Sequence, residues 1–504
     1  MPGHRFSLRY GAIRRFGPAR MAREQPWLNP EDALEELFYK GIIHRGYGTI
    51  GGYSGEIFEI PEQLFEKLPP PKTVVPQIDR VEVPRHVARD GDALIEDLFA
   101  LLVRIRKESL PAPKRGGEGL STPPALEMGS RFSGESVPER TDLLWRLLWR
   151  LGLIQAKDGI IQPGRRARRW LQLPGPARLH HTFLAWRDDR DWDELRLVPS
   201  LRCEDTGWQS DPVTARRNLL SMLGECPHST WYSLDSFVRA LKRYHPDYMR
   251  ADGDFDSWYI RDAETNEYLT GYEAWDQIEG AVVRHIITSS LRWLGVVDIG
   301  RDGEGAPTSA FRITERGWAL LVEDVKPSVP GTGPSVPGTG PSSSKQAAPP
   351  SPPAKIDADF NVKVPLENSL YERYQLERFA EWKSQDAQAA YRITAESIWQ
   401  SQNAGIKIAQ ITRFLKRVSH GQVPATVLRT LQAWGGRFGR AFIRRTLLLQ
   451  TVDERTMKQI SDRPEIRPLL GEALSATACM VDEGHVEELI ARLKALGVWP
   501  HCKI

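Results

Sequence analysis

Three times in the first 325 residues the chain repeats one order of apolar and polar positions. A helical segment ends in glycine and two apolar residues follow at once, at 37–43 (LFYKGII), 148–154 (LWRLGLI) and 291–297 (LRWLGVV). Glycine suits the left-handed residue that closes a helix, and the apolar pair then opens a strand. A polar, glycine-bearing stretch comes next (46–55, 157–159 and 300–305), then a second strand (57–60, 160–162 and 311–313) and a short closing helix (61–67, 165–171 and 314–322). Helix, strand, wing, strand is the second half of a winged helix. Three copies in one internal order predict tandem winged-helix-like modules. Apolar helical patterns at 213–223 and 233–244 supply the first helices of the third.

The pattern changes after a stretch rich in Pro, Gly and Ser at 326–354, in which SVPGTGP occurs twice, from Ser328 and from Ser335. Such a composition predicts a semi-extended linker. Beyond it, 394–403 reads as a helix closed by Gly405. Ile408, Ile411, Leu415 and Val418 then form an apolar stripe at helical spacing. Gly421 marks a turn and Pro424 opens a further helix with Val427, Leu428, Leu431 and Trp434 inward, a helix-turn-helix arrangement. The alternation over 441–452 predicts a strand, 483–496 an amphipathic helix, and Gly497-Val498-Trp499 repeats the helix-glycine-strand signal. The expected fold is α+β and mostly helical. It has a basic N-terminal arm at 1–25 (disordered, or an extension ahead of a start at Met21) and winged-helix-like modules at 26–108, 139–210 and 211–325. A loose linker occupies 109–138 and a Pro/Gly/Ser linker 326–355, and a mixed α/β domain fills 356–504.

With 504 residues, 40% of them apolar and 16 tryptophans, the chain can fill several cores. Its net charge of only +3 says little about partners; the distribution of charge says more. Between 397 and 452 there is no Asp or Glu, while Lys407, Arg413, Lys416, Arg417, Arg429, Arg437, Arg440, Arg444 and Arg445 all fall there. A second cluster, GRRARRW at 164–170, follows the second expected wing and carries Arg165, Arg166 and Arg169. Phosphate binding needs clustered cations on a fixed surface, and counterion release supplies its free energy. The candidate nucleic-acid-binding residues are therefore Arg165, Arg166, Arg169, Lys407, Arg413, Lys416, Arg417, Arg437, Arg440, Arg444 and Arg445. The plainer alternative is a solvated basic face, or one paired with acids elsewhere in the fold. Trp170 and Leu171 are expected to pack rather than stack on bases.

Signs of catalysis are weak. GYGTIG at 46–51 matches a dinucleotide fingerprint but leads into a strand rather than a helix, so a hairpin loop is the expectation. There is no GxxxxGK[ST] and no GxSxG. His180-His181 lies near Asp188, Asp189, Asp191 and Asp193, but no second His follows at a helical offset. Asp252, Asp254 and Asp256 lack the Gly and the Glu of a calcium loop. Cys203, Cys226, Cys479 and Cys502 are scattered free thiols. No apolar run is long enough to span a bilayer. The expectation is a cytoplasmic protein that is not an enzyme, with no metal, cofactor or small-molecule substrate.

One resemblance adds to this reading. The segments 358–365 (ADFNVKVP), 379–382 (FAEW), 391–394 (YRIT), 410–416, Val423-Pro424 and Gly497-Val498 together resemble the domain at the N-terminus of XPB-type DNA helicases. That domain recurs in bacterial helicase-associated proteins. The stretch 148–161, with FLAW at 183–186 and WDEL at 192–195, is similar to the winged-helix part of those same proteins. The chain departs from their larger members in lacking an additional N-terminal portion and in carrying its own Pro/Gly linker. The resemblance implies a regulatory, partner-docking role beside a helicase in DNA repair or transcription-linked unwinding, and not the motor itself. Two functions follow: an accessory protein that binds DNA, or an adaptor that docks on an XPB-type helicase without touching DNA. One contiguous exposed face bearing Arg413, Arg417, Arg440 and Arg444 favours the first. Burial of these against acids, or an apolar patch around Trp434, Phe438 and Phe442, favours the second.

Overall fold

The computed structural model describes residues 11–50, 53–65, 67–68, 77–108, 110–112, 131–134, 137–250, 253–325, 352–441 and 446–502. The fold is α+β, with many helices and several small antiparallel sheets. It divides into two compact units. The first takes in 1–357, 361–392 and 418–420; the second takes in 358–360, 393–417 and 421–504. The Pro/Gly/Ser stretch 326–351 and most of 109–138 lie outside the described residues, as do the first ten residues of the basic arm.

In the first unit each repeated glycine closes a helix as its sequence context requires. Gly41, Gly152 and Gly295 have φ of +71°, +66° and +68°, the left-handed region that only glycine enters freely. A hairpin follows each time: His44–Ile50 with Tyr53–Glu59, Ile154–Lys157 with Ile160–Pro163, and Val297–Arg301 with Thr308–Ile313. The second and third hairpins each gain a short strand beside their second strand, Leu110–Pro111 in one case and Trp231–Ser233 in the other. In the third, His86–Ala88 is added on the opposite edge. Helix starts are fixed locally. The Asp211 carboxylate accepts from the Val213 and Thr214 amides ahead of Pro212–Gly224, and the Ser233 hydroxyl accepts from Ser236 ahead of Leu234–Tyr244.

The main apolar core of this unit begins at Leu94 and crosses the module boundaries expected from the sequence, while Leu34, Ile43 and Phe58 form a small core of their own. Helix Ala93–Lys107, assigned above to a module ending at 108, buries Leu98, Phe99 and Leu102 in the same cluster as Leu144, Trp145, Trp186 and Trp275. Leu110, expected in a loose linker, pairs with Ile161, and the Ser133 and Gly134 amides donate to the buried Asp97 carboxylate. The expected break at 210–211 is bridged by the buried pair Arg216–Glu194. At 356 the difference is larger. Strands Lys355–Ile356, Asn361–Pro365, Glu381–Gln385 and Gln388–Arg392 form one sheet that belongs to the first unit. Beside it Arg373, fully buried, makes a bidentate pair with Glu96 (2.8 and 2.9 Å). Arg106 lies 4.0 Å from the Tyr374 ring, and Glu377 takes Lys107 and Arg131. Periodicity shows which face of a helix is apolar but not which partner covers it, so carboxylates that fasten distant segments read as surface residues. The expected free arm at 1–25 is likewise corrected over its described part. Ile13 packs on Leu34, Ile43 and Phe58, Pro18–Glu24 is helical, and Arg14 pairs with Glu35.

The second unit opens with three helices, Ala395–Asn403, Ile408–Val418 and Ala425–Gly435. Thr394 and Ser397 form a reciprocal capping box at the first. A sheet of Leu447–Gln450, Ala478–Val481 and Leu470–Ser475, in that order, follows. Helices Glu454–Ser461 and Val486–Ala495 cover it through Ile460, Leu489 and Leu493. The strand expected over 441–452 is shorter: it is Leu447–Gln450, and 442–445 lie outside the described residues. At the chain end the glycine signal holds but the strand does not form. Gly497 has φ +80°, and the Val498 amide turns back to the Leu493 carbonyl at 2.9 Å. That closes a Schellman motif, and Trp499 is left exposed outside any described strand. No described helix is long and apolar enough to cross a membrane.

Candidate nucleic-acid interface

A phosphate-binding surface needs cations that are exposed, held on rigid backbone and not already neutralised by carboxylates. Helix Ile408–Val418 supplies exposed cations on rigid backbone from a simple pattern. Ile411, Leu415 and Val418 are buried and Ile408 is half-buried, while Gln410, Arg413, Lys416 and Arg417 are exposed on the opposite stripe. Lys416 and Arg417 stand in the last turn, where the negative end of the helix dipole favours cations. The Arg417 guanidinium also lies 5.1 Å from the Phe414 ring. Lys407 sits just before the helix with its backbone amide donating to Gln410 Oε1 at 2.9 Å, so its exposed side chain projects from a fixed point.

After a turn through Gly421 (φ +85°) the chain enters Ala425–Gly435. Val427 and Leu431 are fully buried, and Trp434 stacks on Phe360 at 5.0 Å. The outer stripe consists of Ala425, Thr426, Arg429, Gln432 and Ala433, all exposed. At Gly435 a Cβ would lie 2.1 Å from Ile408 Cγ1, so the two helices meet on glycine backbone. Arg437 and Arg440 follow in an exposed turn. Among the described residues, no carboxylate lies within ion-pair distance of Lys407, Arg413, Lys416, Arg429, Arg437 or Arg440. Arg444, Arg445 and Phe442 lie outside the described residues. Arg429 belongs to the acid-free run, and its place on the outer stripe of the third helix is what distinguishes it.

The cluster at 165–169 belongs to the first unit. Arg165, Arg166 and Arg169 are exposed, while Trp170 and Leu171 are buried, packing as their sequence context predicts. Arg168 lies 5.5 Å from the Tyr371 ring.

The helices that precede the second and third hairpins give most of their surface to the core. In Pro138–Arg150, Leu143, Leu144, Trp145, Leu147 and Leu148 are at most 1% exposed. Every residue from 289 to 299 is buried, and so are Val282, Val283, Ile286 and Ile287. The outward positions that remain carry cations already paired with acids, Arg146 and Arg150 with Asp189 and Arg284 with Asp235. The helix before the first hairpin, Ala33–Tyr39, carries Glu35 and Glu36 in its first turn, a poor match for phosphate.

Among the remaining chemical candidates Asp252 lies outside the described residues, and others are engaged in structure. GYGTIG lies in the first hairpin, where Gly46 and Gly48 pair with Ile57 and Gly55. Asp188 and Asp189 are engaged by Arg187, Arg217 and Arg146. Burial pushes the Cys203 thiol up to about 11 and the Cys226 thiol up to about 12, away from thiolate reactivity. An apolar patch does exist near the basic face. Phe438, 41% exposed, lines a groove of ≈ 530 Å³ with Gln402, Ile406, Lys407 and Ile408.

Residues 355–475 match the family described as helicase conserved C-terminal domain. The match supports a helicase-associated protein, and it includes the whole three-helix arrangement described above. No curated protein matches the chain.

Proposed function

We propose that this chain is a non-catalytic, DNA-binding accessory protein that works in a bacterial cytoplasm beside a helicase of the XPB type, in DNA repair or transcription-linked unwinding. The observation that carries this reading is the outer face of Ile408–Val418 and Ala425–Gly435, where exposed cations stand with no acid in the surrounding sequence. In the first unit, two hairpins each have a short strand beside their second strand. That order supports winged-helix-like modules, and their buried helices suit them to a scaffold role rather than to groove reading. The test is binding of the full chain to labelled duplex, forked and single-stranded DNA across a salt series, beside an Arg413→Ala/Arg417→Ala/Arg440→Ala variant. Salt-sensitive binding that weakens strongly in the variant supports the DNA role. Absence of binding at low salt by folded protein rejects it.

The groove beside Phe438, together with exposed Trp399 and Trp499, favours a second reading, an adaptor that docks on a helicase. Pull-down of an XPB-type helicase by the chain, lost in Phe438→Ala and kept in the arginine variant, supports that alternative.

A further inference from the structure

The DNA reading leaves open how a duplex is gripped. A three-helix arrangement of this kind offers two different surfaces: its second helix crosses the phosphate backbone, and its third lies in the major groove. The two helices here differ in the way that division requires. The exposed stripe of Ile408–Val418 is Gln410, Arg413, Lys416 and Arg417, mostly long cations suited to phosphates. The exposed stripe of Ala425–Gly435 is Ala425, Thr426, Arg429, Gln432 and Ala433. The two alanines and the threonine keep the helix surface low, so its backbone can come close to a base-pair floor. Arg429 and Gln432 are three residues apart on one face, and they are the side-chain types that bond bidentately to guanine O6/N7 and to adenine N6/N7. An α-helix with its side chains is about 10–12 Å across, which fits a groove about 12 Å wide, and these 11 residues run about 16 Å along it. Arg437 and Arg440 stand just past its C-terminal end, and no acid between 397 and 452 opposes the approach.

Resting on the proposed DNA role, we infer that helix Ala425–Gly435 enters the major groove of duplex DNA, with Arg429 and Gln432 on base edges and Arg413, Lys416 and Arg417 on phosphates. The Pro138–Arg150 and Glu279–Ile286 helices are unsuited to the same use, because their outward cations already meet acids: Arg146 and Arg150 meet Asp189, and Arg284 meets Asp235.

The experiment compares two duplexes of one sequence, one plain and one with its major groove filled by glucosylated 5-hydroxymethylcytosine. Each is titrated with the full chain across a salt series. The chain should bind the filled duplex about tenfold or more weakly, the loss expected when bidentate base contacts are blocked. Arg429→Ala/Gln432→Ala should remove most of that discrimination while changing the salt slope by no more than about one unit. Arg413→Ala/Lys416→Ala/Arg417→Ala should keep the discrimination and lower the slope of log K against log salt by about 2.7, at 0.9 per phosphate. Circular dichroism checks folding, and all five side chains are exposed. Equal binding of plain and filled duplexes with a normal salt slope overturns the groove assignment and leaves the DNA role standing. No binding of either duplex overturns both.

Discussion

The two units of this protein use arginine in opposite ways. In the first, Arg140, Arg216, Arg250 and Arg373 are almost wholly buried and each meets a carboxylate: Asp97, Glu194, Glu279 and Glu96. Arg216 shows how far this goes. Its Nε lies 3.0 Å from both Glu194 oxygens, its Nη1 donates to the Trp186 and Asp189 carbonyls, and its guanidinium sits 5.2 Å from the Trp186 ring. In the second unit the described arginines of the acid-free run are exposed. One residue type thus fastens a core in the first unit and stands exposed in the second, where the surrounding sequence holds no acid. The net charge of +3 averages the two uses and hides both.

The comparison can be broken most forcefully at Arg216. Replacing it by Ala leaves Glu194 buried without its counter-charge, a loss of about 3–5 kcal/mol. A denaturant melt of Arg216→Ala should therefore show the first unit unfolding far earlier, with the transition of the second unit in place. A shift below about 1 kcal/mol would mean that the pair is not what fastens this region. The triple variant Arg413→Ala/Lys416→Ala/Arg417→Ala should do the reverse. Each exposed site should change stability by no more than about 0.5 kcal/mol, while DNA affinity falls and loses part of its salt dependence. If the triple variant instead melts early, these cations have structural partners and the contrast between the units fails.

Much of this contrast is legible in the sequence, but only on one side. The acid-free run, the stripe Ile408, Ile411, Leu415, Val418 and the inward Val427 and Leu431 all emerge from local pattern, because a helix records its own solvent face every three or four residues. The three glycines with positive φ are equally local. What the pattern lacks is pairing at long range. Glu96 and Arg373 are 277 positions apart, and neither looks unusual in its own segment. Nothing local marks Arg216 as the partner of Glu194 or Arg373 as that of Glu96, and the structure runs on across the expected boundaries at 108 and 356. The same blindness hid the burial of the residues before Val297. Their apolar character was plain, but a helix that is covered on every side by other elements reads much like one that is half open.

The smallest expected effect concerns the N-terminal end of the first unit, where one arginine is partly exposed and yet paired. Arg14 donates from Nε to both Glu35 oxygens (2.9 and 3.1 Å) and from Nη2 at 2.6 Å, and the Glu31 amide donates to the same carboxylate. Hydrogen bonding from Arg14 holds the Glu35 carboxyl below its ordinary pKa despite the opposing effect of burial. A carboxylate with a depressed folded-state pKa binds fewer protons folded than unfolded. Its contribution is therefore complete above the unfolded pKa and is lost as pH falls through the folded one. Amide exchange at Leu34 and Phe58, which form the small core beside this pair, should be independent of pH from about 7 to 5 once corrected for intrinsic rates. Protection should then drop as the pH passes below the ordinary carboxylate range. Arg14→Ala should lose part of that protection already at pH 7 and show a shallower drop in acid. Identical acid profiles for the two proteins would show that Arg14 contributes no more to folding than an unpaired surface arginine, and would place it with the exposed cations of the second unit.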